Sequence, residues 1–97
     1  MENYDIRTRN PYGERTSTQV LNKEGAFKAV SLAIPAGQEL REHVTPGPAI
    51  LFMLEGAGQF LAGAETIELG PGTVVHIPAG VPHRIVATTN SHFVLVR

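Results

Sequence analysis

Glycine and proline interrupt this chain so regularly between residues 35 and 82 that no helix of ordinary length fits there. Six of the seven prolines and eight of the ten glycines lie in that window, grouped as Pro35–Gly37, Pro46–Pro48, Gly56–Gly58, Gly63, Gly70–Gly72 and Pro78–Pro82. Inside a helix each Gly costs about 1 kcal/mol and each Pro about 3 kcal/mol relative to Ala, so the groups act as breaks. Strands of four to eight residues do fit between them, and short strands between regular turns read as an all-β barrel or sandwich.

The intervening segments have strand character. Phe27–Ile34 is apolar at residues 30, 32 and 34, and Glu39–Thr45 alternates loosely. Gln59–Ala62, Glu65–Leu69, Thr73–Ile77, Arg84–Ala87 and Phe93–Val96 are further short strands, with another near Thr18–Leu21. Ile50–Leu54 is apolar on both parities, so it is expected to be covered on both faces, by the barrel interior and by another sheet or subunit. Residues 1–16 are polar and contain the turn sequence Asn10-Pro11-Tyr12-Gly13; they read as an arm or edge element before a single domain over residues 17–97.

Eight basic against nine acidic residues give a formal net charge of −1, which excludes nucleic-acid binding driven by bulk charge. With no cysteine there is no disulfide scaffold, thiolate metal site or cysteine nucleophile. The polar N-terminus lacks an apolar signal core, and the longest apolar run, Ala49–Leu54, is far short of a membrane span. A cytoplasmic protein without membrane or nucleic-acid partners is the expectation. Gly56-Ala57-Gly58 lacks the Gly-Lys-Ser/Thr ending of a phosphate loop, and none of Ser17, Ser31 and Ser91 sits in a nucleophile elbow. The four histidines, His43, His76, His83 and His92, carry the remaining chemistry.

The segment Gly72-Thr-Val-Val-His-Ile-Pro78-Ala-Gly80-Val-Pro-His83 has the spacing Gly-x5-Pro-x-Gly-x2-His. It resembles the second signature motif of the cupin superfamily. Gly37-x5-His43 and Leu54-Glu55-Gly56 resemble the opening and close of the first motif. The resemblance implies a small antiparallel double-stranded β-helix, the jelly-roll barrel of cupins. It also implies a divalent ion such as Fe, Mn, Ni or Zn, held by three histidines and a glutamate. Here Thr45 stands at the second histidine position of the first motif and Ala49 at its glutamate position. His43 and His83 are the two ligands left, and two imidazoles make a weak, labile site.

The expected pocket therefore holds His43, Thr45, Ala49 and His83 in a mostly aliphatic cavity. Arg41 shares strand parity with His43, which would put a cation at the cavity mouth; the alternative is a rim pair with Glu39 or Glu42. His76 has opposite parity to Val75 and Ile77 and is expected to face outward. His92 follows the polar run Thr88–Ser91 and reads as a peripheral strand-edge residue. Two functions follow. One is binding of a small organic ligand by a metal-free or weakly metallated pocket. The other is a divalent-metal cupin enzyme of the dioxygenase, decarboxylase or isomerase type. The doubly apolar strand favours a homodimer.

Overall fold

Each apolar segment between the glycine–proline groups becomes a strand, and the strands form two antiparallel sheets. The computed structural model describes residues 1–97. After a single helical turn, α1 (Ile6–Arg9), come β1 (Ser17–Val20), β2 (Ala29–Ile34), β3 (Glu39–His43), β4 (Ala49–Glu55), β5 (Gly58–Ala62), β6 (Glu65–Leu69), β7 (Val74–Ile77), β8 (His83–Ala87) and β9 (Ser91–Val96). One sheet has the order β1-β2-β9-β4-β7 and the other β3-β8-β5-β6. This is the jelly-roll barrel. No helix is long and apolar enough to cross a membrane.

Alternation decides what enters the core. Val30, Leu32 and Ile34 of β2, Leu51 and Met53 of β4, and Phe93 and Leu95 of β9 face inward from the five-stranded sheet. They meet Phe60, Leu69, Ile85 and Ala87 of the other sheet, and Val75 and Ile77 join from β7. Removing this aliphatic surface from water stabilises the barrel by about 25 cal/mol for each Å² buried. The motif glycine Gly80 has φ +76°, and its N–H donates to the Thr45 carbonyl at 2.9 Å, tying the turn before β8 to the segment after β3.

Two irregularities reset the alternation. The β3–β8 register shifts between Leu40 and His43, and the β4–β9 register shifts between Met53 and Glu55. A bulge adds a residue on one strand, so the side chains beyond it change faces. Leu40 and His43 therefore both turn toward the interior, while Arg41 and Glu42 between them are exposed. Beyond the second shift, Glu55 pairs with the outward-facing His92.

The outer face of the five-stranded sheet is covered over only part of its area. The N-terminal arm lies across Ser31 and His92, both 0 % exposed. Asn10 Nδ2 donates to Ser31 Oγ at 3.0 Å, Ser17 Oγ donates to Asn10 Oδ1 at 2.9 Å, and Tyr12 stands edge-on to His92. Farther along, Phe52 and Leu54 of β4 remain 39 % and 43 % exposed, beside Val74 of β7. The expected cover on both faces of β4 is thus incomplete within the chain, because the arm meets β4 only at its end, where Arg7 and Tyr12 bond Glu55.

Candidate functional site

His43 closes β3 and His83 opens β8, and the two are directly paired across the sheet. Their rings meet edge to face, with centroids 4.2 Å apart and planes at 62°. His83 is 1 % exposed and stacks on Phe60 at 5.4 Å. Each ring is held by its own backbone: His43 Nδ1 lies 3.1 Å from the Arg41 carbonyl, and His83 Nδ1 lies 2.9 Å from the Val81 carbonyl. A carbonyl only accepts, so both Nδ1 atoms carry the proton. In the neutral rings this leaves Nε2 as the lone-pair atom of both. Burial pushes the His83 pKa down; the Val81 carbonyl opposes this and His43 adds to it.

A cavity of about 300 Å³ opens beside this pair, between β1, β2 and β9 on one side and β3 with the segment after it on the other. Its walls are largely aliphatic, from Val20, Val30, Leu32, Leu40 and Leu95. His43 and Thr45 line it, while His83 sits behind His43. The Thr45 hydroxyl is buried and has no hydrogen-bond partner in the chain. Ala49 is buried against Ile77 on β7 and is not part of the cavity wall.

Arg41 is not at the mouth: the β3 irregularity turns it out of the His43 row, and it is exposed. The same shift sends Glu39 outward, 3.5 Å from Arg84. The mouth cations are instead Lys28 and Arg97. Strand parity carried two residues back from Val30 and two forward from Leu95 points to both, Lys28 within the segment Phe27–Ile34 and Arg97 just beyond Phe93–Val96.

His76 is exposed on β7 opposite Ile50. His92 corrects the sequence reading. It lies on β9, between β2 and β4, and is wholly buried beneath the arm rather than peripheral. Its Nε2 is 2.7 Å from Ser31 Oγ, and its Nδ1 has no partner. Burial lowers the His92 pKa; Glu55 opposes the shift, Arg7 adds to it and Asp5 opposes it. Glu55 accepts from Tyr12 at 2.7 Å and from Arg7 at 3.2 Å, and Tyr12 is the first cause of its lowered pKa. Burial and Glu55 together raise the Tyr12 pKa.

Residues 30–96, most of the barrel, match the family described as the cupin domain. The chain is a cupin. No curated protein matches it by sequence. Among solved structures, this cupin is similar to an RmlC-like cupin from Desulfovibrio desulfuricans, with 27 % identity, a TM-score of 0.86, and 99 % of this chain and 94 % of that one covered. The protein TT1209 from Thermus thermophilus is 25 % identical over 99 % and 95 % of the two chains, also with a TM-score of 0.86. The DMSP lyase DddQ from Ruegeria pomeroyi is 30 % identical, with a TM-score of 0.74, over 89 % of this chain but 49 % of the lyase.

The divalent ion implied by the family resemblance does not fit the donors here. His43 and His83 offer two nitrogens, and no third His, Asp or Glu joins them. Thr45 and Ala49, at the other two ligand positions, supply a neutral hydroxyl and a methyl group. Tight sites for such ions use three or more protein ligands.

Proposed function

We propose that this cupin binds a small organic ligand in the cavity beside His43, by hydrogen bonding and apolar contact, in a metal-free or weakly metallated pocket. The observation that carries the reading is the pair of backbone-anchored imidazoles with no third ligating side chain. Of the pair, His43 lines the cavity and can meet a polar group of the ligand, and the aliphatic walls suit its carbon skeleton. The cytoplasm and a homodimer belong to the same proposal. A second copy would cover Phe52, Leu54 and Val74, which otherwise stay in water.

The deciding experiment is elemental analysis of native protein purified without chelator or a histidine tag. Sub-stoichiometric metal, together with an unchanged fold after metal removal, supports binding without a structural ion. Stoichiometric iron, manganese, nickel or zinc that disappears in His43→Ala would replace this reading with a metal-dependent enzyme. The likeness to a DMSP lyase at 30 % identity is what favours that second reading.

A further inference from the structure

Lys28 and Arg97 extend the β2–β9 ladder by one antiparallel pair. The Lys28 N–H donates to the Arg97 carbonyl at 2.6 Å, and the Arg97 N–H donates to the Lys28 carbonyl at 2.9 Å. In such a pair the Cα atoms sit about 5.5 Å apart and both side chains leave the same face of the sheet. That face is the inward one, because Lys28 continues the row of Val30 and Leu32, and Arg97 continues the row of Leu95. Both line the cavity.

Like charges placed directly opposite each other destabilise a sheet unless a counter-charge joins them. No Asp or Glu side chain does: the three ion pairs of the chain are Arg7–Asp5, Arg7–Glu55 and Arg84–Glu39. The cavity wall contains two cationic side chains and no Asp or Glu, on a chain whose formal net charge is −1. Beside the two cations the wall is mostly apolar.

We infer that the pocket takes an aliphatic carboxylate, its acid group bridging Lys28 and Arg97 at the mouth and its hydrocarbon body lying against Val30, Leu40 and Leu95. The inference rests on the ligand-binding reading of the cavity and names the chemical class of its ligand. The guanidinium matches a carboxylate edge with two parallel hydrogen bonds, and the lysine ammonium adds a point charge beside it. The bound anion relieves the repulsion between the two cations, so affinity falls as salt screens both effects.

The test is a titration of the full chain, labelled with ¹⁵N and followed by two-dimensional NMR, with hexanoate and with its uncharged isostere hexanamide. Hexanoate should shift the amides around Lys28, Val30, His43 and Leu95, with at least about tenfold higher affinity than hexanamide. The double variant Lys28→Gln/Arg97→Gln should bind hexanoate at least about tenfold more weakly and bind hexanamide unchanged. Equal binding of the two probes at the cavity, unaffected by the double variant, would overturn the carboxylate assignment and leave the pocket reading standing. Shifts confined to residues outside the cavity, or none with either probe, would overturn the assignment and count against the pocket as well.

Discussion

Acid should destabilise this protein in a pH range where its carboxylates are still ionised, and His92 should be one identifiable cause. His83 and His92 are 1 % and 0 % exposed, and burial is the leading cause that lowers both pKa values from 6.5. The folded state therefore holds these rings neutral where the unfolded chain protonates them. Their contribution is complete above pH 6.5 and is lost as pH falls below it, because the unfolded state then binds more protons. Full neutrality of the folded rings sets the upper bound of the loss, about 2 kcal/mol for one ring by about pH 5 and about 4 kcal/mol for two. That is a large share of the roughly 5–15 kcal/mol expected of a domain. Glu55 titrates the other way: its lowered pKa places its loss below pH 4.5, outside the window. The assay is urea unfolding by far-UV circular dichroism between about pH 7.5 and 5, on the wild type and on His92→Asn. Truncating the ring loses the Ser31 contact, so the variant starts less stable at the upper end of that range. It has one fewer ring to protonate on unfolding, so the gap should narrow by up to about 2 kcal/mol at the acid end. Parallel curves across the whole range would refute a neutral buried His92.

Asn10→Ala should cost about 1–3 kcal/mol in urea unfolding, because it strips partners from buried Ser31 and half-buried Ser17; a loss below about 0.5 kcal/mol would mean the arm is not clamped there. Gly56 has φ +105°, and a Cβ there would meet the Ser91 hydroxyl and the Asn90 carbonyl. Gly56→Ala should therefore destabilise by about 2–4 kcal/mol, against about 1 kcal/mol for Gly63→Ala, where the space is open. Equal losses at the two positions would show that the close approach to β9 is not what Gly56 provides. Phe52→Glu should leave the circular dichroism spectrum intact while converting the proposed dimer to monomer in analytical ultracentrifugation. A wild type that already sediments as a monomer would remove that face as an interface.

The spacing of glycine and proline was enough to place the strands from β2 to β8, because turns and period-two alternation are local properties. The Gly-x5-Pro-x-Gly-x2-His run likewise pointed to the barrel, and Gly80 shows why: its left-handed φ and its bond to Thr45 join the two motifs. The absence of a complete ligand set was also legible, since Thr45 and Ala49 are read directly from the sequence. Which face a polar residue takes was another matter. Alternation was sound for His76, which is exposed as its parity against Val75 and Ile77 implies, but it failed for Arg41, separated from its reference residue His43 by an irregular register. A bulge depends on the partner strand, so its effect is not written in the spacing of one segment.

His92 shows the same limit at longer range. A histidine after a polar run looks peripheral, yet β9 lies between β2 and β4, and the N-terminal arm, from the opposite end of the chain, folds over it. The mouth cations also needed the assembled ladder, because Lys28 and Arg97 become neighbours only when β2 and β9 pair. The sequence by itself determined an all-β cupin with two of the family's four ligands, through local turn chemistry and side-chain alternation. The tertiary structure decided which charges face the cavity and which histidine is shut from water, because both depend on strand pairing and on coverage by distant parts of the chain.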